Sequence, residues 1–125
     1  MSCIFCEFVL DKSLHVASSI YLVCVKDNYP VTEGHILLIS RRHIEDVFGL
    51  SKEEWLDIQS LSNQLCRESI EKDATISGFN LGVNCGISAG QSIYHFHLHF
   101  IPRRLGDCKN PRGGVRGVIP GMMLY

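Results

Sequence analysis

Three histidines alternate with large apolar residues in the segment YHFHLHFIPRR, which spans residues 94–104. Successive side chains of a β-strand point to opposite faces, so a strand would place His95, His97 and His99 together on one face. Imidazole can act as a base, a nucleophile or a metal ligand near neutral pH. The intervening residues would face the core, namely Tyr94, Phe96, Leu98 and Phe100. We therefore predict a half-buried strand that carries a functional site.

A metal site is the first interpretation of such a row, but strand geometry restricts it. His95 and His99 lie four residues apart, which corresponds to about 13 Å along a strand. Zn–N bonds are only about 2.0–2.1 Å long, so one ion could join two neighbouring histidines but not all three without bending the strand. The alternative, a row of solvated histidines on an open sheet face, leaves their common register unexplained. We therefore expect the three histidines to have different roles.

Composition is ordinary for a globular protein. The 125 residues carry a net charge of −1, with 46% hydrophobic and 20% charged residues. We expect one domain over residues 1–125, with 103–125 as an extended C-terminal arm. The small net charge gives no general attraction for nucleic acid or an anionic membrane. Because neither a signal peptide nor a long apolar run is visible, we predict a cytoplasmic protein without nucleic-acid or membrane partners.

The chain has six cysteines, which allow either a disulfide framework or reduced thiols. Without an export signal, reduced thiols are the better expectation. Cys3 and Cys6 form a C-x-x-C pair, a spacing found both in metal sites and in redox motifs. The redox motif normally follows a strand and opens a helix, whereas this pair begins at residue 3. That position favours two thiolate ligands of a zinc site.

The apolar patterns predict the element order strand, strand, helix, strand, strand. The helix should begin at Ser51, because Ser51 and Glu54 form an S-x-x-E capping box, and should end near Asp73. Its apolar stripe comprises Trp55, Ile58, Leu61, Leu65 and Cys66. The strands before the histidine strand are expected at 18–27, 35–40 and 78–84. Short connections on either side of the helix predict an α+β fold, an antiparallel sheet with one long helix packed on it.

The loop before the histidine strand contains Gly90, Gln91 and Ser92. Glycine lets a ligand approach the backbone closely, and successive N–H groups in a turn can bind an anion. Ser92 would add a hydroxyl group and Asn84 a side-chain amide. From the loop alone, a simple tight turn is the better-supported interpretation, and a phosphate site facing the imidazoles is the alternative.

Four segments together resemble the signature blocks of the histidine triad (HIT) family. They are CIFC at 3–6, KDNYPVTEGHILLISRRH at 26–43, GVNCG at 82–86 and GQSIYHFHLHFIP at 90–102. The blocks occur in the family's order, and the resemblance covers roughly residues 3–102. It implies a nucleotide-binding fold that usually forms a homodimer. It also implies a hydrolase or transferase that acts at the α-phosphate of a nucleotide conjugate.

The resemblance further implies roles for individual residues. His97, the middle histidine, would be the nucleophile that forms a covalent nucleotidyl intermediate, which water then hydrolyses. His99, His35 and Ser92 would bind the phosphate and balance its charge. The other nucleotide-binding residues would be Asn84 on the phosphate or ribose side, Asp27 at the ribose hydroxyls, Ile4, Phe5 and Phe8 around a purine base, and Gln91 in the loop.

The first histidine is then left for a metal. In many members of the HIT family this histidine, a C-x-x-C pair and a histidine after the second strand bind structural zinc. The corresponding residues here are His95, Cys3, Cys6 and His43. Two thiolates and two imidazoles would close a tetrahedral site without a position for water, which predicts structural Zn²⁺ and no metal catalysis.

Two classes of function remain compatible with the sequence. One is an enzyme acting on dinucleoside polyphosphates or nucleoside phosphoramidates, as a hydrolase or as a phosphorylase or nucleotidyl transferase. The other is a non-catalytic nucleotide-binding regulatory module. In the arm, Arg112 and Arg116 could favour polyphosphate substrates through charge-assisted hydrogen bonds, and a solvated or dimer-packing tail is the alternative.

Overall fold

The protein is described by a computed structural model that covers residues 2–125. Five antiparallel strands form one sheet in the order β1-β2-β3-β5-β4. The strands are β1 His15–Ser18, β2 Leu22–Lys26, β3 Ile36–Ser40, β4 Ile76–Gly82 and β5 His97–Arg104. The α-helices are α1 Ile4–Leu10 and α2 Lys52–Lys72, and short 3₁₀ turns cover Lys12–Leu14, Val47–Gly49, Ile87–Ala89 and Gly114–Val118. The predicted α+β fold, an antiparallel sheet with a long helix, is confirmed.

The long helix α2 begins where its capping box predicts. Ser51 is the N-cap, and its hydroxyl accepts from the Glu54 N–H at 3.1 Å. The Glu54 carboxylate accepts from the Ser51 N–H and from Arg42, both at 2.8 Å. Glu54 is buried, and these bonds satisfy its charge. The same pair therefore fixes the helix start and, through Arg42, the loop that carries His43.

The sheet is covered on both faces. Beneath α2 lies the larger core, formed by Leu22, Cys24, Leu38, Phe96, Leu98 and Phe100 of the sheet side and Ile58, Leu61 and Leu65 of the helix. The opposite face packs Phe5 of α1 against Val23, Val25, Leu37 and Ile39. In the register of β3 and β5, Ile39 pairs with His97 and Leu37 with His99. None of the helices in residues 2–125 is long and apolar enough to cross a bilayer.

The histidine strand is shorter than the sequence predicts. It begins at His97 instead of residue 94, so His95 lies before the strand in a bend. Phe96 explains the change, because its N–H donates to the Ile44 carbonyl at 2.7 Å and its carbonyl accepts from Ser40 at 3.3 Å. Tyr94, expected on the core face, is 41% exposed. His95 therefore lies outside the regular strand, but its ring stays on the α1 side with that of His97, since Phe5 contacts both rings. Phe96, Leu98 and Phe100 pack on the opposite side, beneath α2, as predicted.

Two elements are absent from the sequence prediction, the helix α1 and the edge strand β1. The first contains only seven residues and the second only four. Both are too short to show a clear hydrophobic period. The segment 41–50, which leads from β3 into α2, contains the turn Val47–Gly49.

We expect the core beneath the histidine strand to be the main source of its stability. Replacing Leu98 by alanine should lower the free energy of unfolding by roughly 2–5 kcal/mol, because it removes buried methyl groups and leaves a cavity. Leu105→Ala is the matched control, since Leu105 is 93% exposed. Urea unfolding of both variants measures the difference. Equal losses would show that the packing beneath the strand is not what stabilises it.

Candidate active site

A cavity of about 430 Å³ opens on the α1 face of the sheet. Eight of the predicted residues line it, namely Ile4, Phe5, Phe8, Asp27, Asn84, Ser92, His97 and His99. They come from α1, the end of β2, the loops before and after Ile87–Ala89, and the start of β5. Other lining residues lie within the HIT-like blocks but were given no role in the sequence analysis: Lys26, Asn28, Tyr29, Leu37 and Ile93. The cavity thus combines an apolar wall with imidazole, amide, hydroxyl and carboxylate groups.

His97 is held in one tautomer by the backbone. Its Nδ1 lies 2.9 Å from the carbonyl oxygen of His95. A carbonyl only accepts, so Nδ1 carries the hydrogen and Nε2 keeps its lone pair. The ring of Phe5 lies edge-on against the His97 ring, with centroids 4.8 Å apart. An imidazole fixed in this way presents Nε2 as the atom that can act as a nucleophile or base.

His35 and His99 form a second pair of imidazoles with a defined proton arrangement. The Val31 N–H donates to Nδ1 of His35 at 3.1 Å, so the hydrogen of the neutral His35 ring is on Nε2. His35 Nε2 lies 2.9 Å from Nδ1 of His99 and 3.3 Å from a carboxylate oxygen of Asp27. His99 therefore accepts at Nδ1 and carries its own hydrogen on Nε2. That N–H is a donor available for an anion.

Burial keeps both imidazoles of this pair neutral. Desolvation lowers the pKa of His35, and the charge of Asp27 opposes the shift only in part. The pKa of His99 is also lowered, first by burial and then by the neighbouring His97 and His35, again against Asp27. Both rings are therefore neutral hydrogen-bonding groups near pH 7.

The same three side chains, Asp27, His35 and His99, are close enough together to suggest a metal site. The proton arrangement argues against it. Nδ1 of His35 already accepts from Val31, so the Nε2 atom that faces the other two groups carries hydrogen. A metal ligand must offer a lone pair at that atom. We therefore interpret Asp27, His35 and His99 as a hydrogen-bonded group that orients the two imidazole rings.

A second cluster combines Cys3, Cys6, His43 and His95, whose potential ligand atoms all lie within 4.8 Å of one another. Nδ1 of His95 lies 3.5 Å from each sulfur atom and 3.1 Å from Nδ1 of His43. Cys6 Sγ is 3.1 Å from the same His43 atom. A tetrahedral zinc ion with ordinary bond lengths would separate its ligand atoms by about 3.3–3.8 Å. The donor set therefore fits zinc in type, and the measured separations of 3.1–3.5 Å are close to this spacing.

Backbone groups prepare this cluster for a cation. His95 is fully buried, and its Nε2 donates to the Ser40 carbonyl at 2.7 Å, which leaves the lone pair on Nδ1 facing the cluster. The pKa of His95 is lowered mainly by burial. The Cys6 N–H donates to the sulfur of Cys3 at 3.4 Å, which holds that sulfur at the start of α1.

The remaining sequence predictions are placed differently. Gln91 was expected among the nucleotide contacts, but its side chain is buried and braces the loop. Its amide donates to the Glu45 and Ile93 carbonyls, and its oxygen accepts from the Gly86 N–H. It does not line the cavity. His35 lies directly behind His99 and reaches the cavity only through that ring.

The arginines of the arm also lie elsewhere. The guanidinium groups of Arg112 and Arg116 lie over the ring of Tyr125, 4.7 and 4.9 Å from its centroid. Neither residue lines the cavity. The prediction that they contact a polyphosphate chain has no support from these positions.

Comparison with known proteins identifies the family. The family model of the HIT domain matches residues 12–106, and the chain therefore belongs to the HIT domain family. An adenylylsulfatase from Arabidopsis thaliana is 32% identical over 110 residues, covering 85% of this chain and 54% of that protein. A bis(5'-adenosyl)-triphosphatase from Dictyostelium discoideum is 36% identical over 81 residues, covering 65% of this chain and 54% of that protein. The chain spans about half the length of these two relatives.

A solved structure supports the same assignment. A Zn-bound histidine triad family protein from Mycobacterium smegmatis superposes with a TM-score of 0.77 at 30% identity. The superposition covers 86% of this chain and 78% of that chain.

The neutral state of His35 predicts a pH dependence of stability. An unfolded histidine has a pKa of about 6.5, whereas burial lowers that of folded His35. Below the unfolded value the unfolded chain binds more protons, so stability should fall as the pH drops from about 7.5 to about 5.5. His35→Asn should reduce that fall in urea unfolding. Val31→Ala, which keeps the backbone N–H, is the control, and an undiminished fall in His35→Asn would contradict the assignment.

Proposed function

We propose that the protein is a nucleotidyl hydrolase that acts at the α-phosphate of nucleotide conjugates through a covalent intermediate on His97. The main support is the hydrogen bond from His97 Nδ1 to the His95 carbonyl, which leaves the Nε2 lone pair in the cavity. Two relatives are named for activities on adenosine phosphate conjugates, an adenylylsulfatase and a bis(5'-adenosyl)-triphosphatase.

Binding uses the two sides of the cavity. Ile4, Phe5 and Phe8 offer an apolar slot of the kind that accepts a purine base. The Asp27 carboxylate is placed to accept hydrogen bonds from ribose hydroxyls. On the opposite side, the His99 N–H, the Ser92 hydroxyl and the Asn84 amide can donate to a phosphate.

In the first chemical step, the Nε2 lone pair of His97 attacks the α-phosphorus. An N–P bond forms, and the bond to the leaving group breaks with its electron pair departing on that group. The ring becomes positively charged, so its Nδ1–H bond to the His95 carbonyl becomes a charge-assisted one. This hydrogen bond strengthens only as the N–P bond forms. It therefore stabilises the transition state more than the bound substrate and lowers the activation barrier.

In the second step, water attacks the nucleotidyl group. The N–P bond breaks, its electron pair returns to Nε2, and the water proton passes to solvent with release of a nucleoside monophosphate. The phosphoryl oxygens that accept hydrogen bonds are the same in both steps. The donors from His99 and Ser92 can therefore stabilise both transition states. If inorganic phosphate replaced water, the same site would act as a phosphorylase.

We also propose that the cluster of Cys3, Cys6, His43 and His95 holds a structural Zn²⁺. When bound, the ion would supply a cross-link between α1, the loop after β3 and the start of β5. Its four protein ligands leave no position for a reacting water. The family resemblance further supports a homodimer, and β4 lies at the edge of the sheet.

The nucleophile is tested by His97→Ala. The variant should bind AMP but lose turnover of diadenosine polyphosphates and adenosine phosphoramidate by several orders of magnitude, because no nucleotidyl intermediate can form. Calorimetry measures AMP binding, single-turnover kinetics measure turnover, and trapping under alkaline conditions, in which the N–P bond survives, detects the intermediate. Added imidazole, which can act as a free nucleophile, should restore part of the activity. Turnover within about tenfold of the wild type would exclude His97 as the nucleophile.

The same assay separates the enzyme from a regulatory module. Wild-type protein that binds AMP tightly but turns over none of the panel would favour the module. Repeating the reaction with inorganic phosphate distinguishes a hydrolase from a phosphorylase, since a phosphorylase yields nucleoside diphosphate.

The metal prediction is one zinc ion per chain. Metal analysis of protein purified without chelators should give this ratio, and Cys6→Ser should lower both zinc content and thermal stability, because the ion contributes to folding. Cys108→Ser is the matched control, since Cys108 is exposed and lies outside the cluster. A stoichiometric disulfide between Cys3 and Cys6 without metal would contradict the assignment.

A further inference from the structure

We propose that the cluster of Cys3, Cys6, His43 and His95 is coupled to the nucleotide cavity, so that a metal ion and a nucleotide each strengthen the binding of the other. The inference rests on the proposed function for the identity of the nucleotide. Two residues of this chain, His95 and Phe5, connect the cluster to the cavity.

His95 connects the sites through three hydrogen-bonding atoms. Nδ1 faces the sulfur atoms of Cys3 and Cys6, and Nε2 donates to the Ser40 carbonyl. The backbone carbonyl of the same residue accepts from Nδ1 of His97. A movement of the His95 ring that reorients the His95 backbone also moves the His95 carbonyl. That carbonyl is the acceptor that holds His97 in the tautomer with a free Nε2 lone pair. His95 is thus a positioning residue for His97.

The helix α1 provides the second connection. Cys3 caps the helix and Cys6 lies in its first turns, whereas Ile4, Phe5 and Phe8 of the same helix line the cavity. Phe5 lies between the two cysteines in sequence, and its ring contacts both imidazoles, with centroids 6.2 Å from His95 and 4.8 Å from His97. One short element therefore presents thiols to the metal cluster and an apolar wall to the nucleotide.

A helix of seven residues cannot hold itself in place. Isolated helices shorter than about 12–15 residues are marginal in water. The contacts that hold α1 include the packing of Phe5, Phe8 and Val9 against the sheet face, a hydrogen bond from His15 Nε2 to the Phe8 carbonyl at 2.8 Å, and the cysteine cluster. A metal ion would add four bonds that join α1 to the sheet. Binding of one ligand that orders α1 therefore lowers the loss of conformational entropy when the other ligand binds.

Such coupling is reciprocal, so it can be measured from the metal side without any turnover. The zinc-loaded full chain is mixed with an excess of the colour-forming chelator 4-(2-pyridylazo)resorcinol, with and without AMP. Calorimetry sets the AMP concentration that saturates each variant. We expect AMP to slow zinc release by about fivefold or more.

Phe5→Leu tests the connection, since leucine keeps an apolar group but removes the ring that reaches both imidazoles. This variant should retain one zinc ion per chain, and AMP should slow its zinc release by no more than about twofold. Phe48→Leu makes the same change at a residue that is 85% exposed, and it should behave as the wild type. An effect of AMP in Phe5→Leu that matches the wild type would overturn the role given to α1.

The outcomes separate this inference from the proposed function. Equal release rates with and without AMP, in protein that calorimetry shows to be saturated, would overturn the coupling and leave the proposed function standing. Failure of the wild type to bind AMP at all would overturn both.

A second measurement needs no nucleotide. Nitrogen-15 NMR of the histidine rings in zinc-loaded protein should show His97 as the Nδ1–H tautomer. Zinc-depleted protein whose circular dichroism still shows the sheet should give a mixture of tautomers. An unchanged tautomer in that folded, depleted protein would overturn the role of the His95 carbonyl.

Discussion

A neutral imidazole that accepts a hydrogen bond at one nitrogen must carry hydrogen on the other, and this rule governs the functional face of the protein. Backbone groups that cannot change their protonation set the pattern. The Val31 N–H fixes His35, the Ser40 carbonyl fixes His95, and the His95 carbonyl fixes His97. Three ring orientations are therefore set by backbone groups before any nucleotide binds. Such preorganised groups need not be rearranged during the reaction.

The larger part of the fold could be predicted because its signals are local. The capping box marks the start of α2, and the apolar runs that form β2 and β3 are buried along almost their whole length. The helix α1 gave no such signal, because its position depends on contacts with His43 and His95, which lie far away in the sequence. The edge strand β1 is four residues long and half-exposed, so its pattern resembles that of a loop.

The sequence predicted which residues belong to the candidate site better than it predicted how those residues are arranged. Alternation places His97 and His99 on one face, and the family blocks indicate which distant residues accompany them. What the sequence could not show is that His95 leaves the strand, because the bonds of Phe96 to Ile44 and Ser40 appear only in the folded chain. Gln91 lies within a matching block and was assigned to the nucleotide, yet its amide bonds to Gly86 and Ile93 and, outside the loop, to Glu45.

The bend at His95 lets one residue act in two ways. In a continued strand, backbone carbonyls point sideways within the sheet. The His95 ring keeps the side of the sheet that alternation gives it, because it lies against Phe5 of α1, as the His97 ring does, while Phe96 packs in the core beneath α2. The ring is buried beside the cysteines, and the bend leaves the backbone carbonyl to accept from His97. A local departure from strand geometry therefore orients the candidate nucleophile from the same residue that supplies a candidate metal ligand.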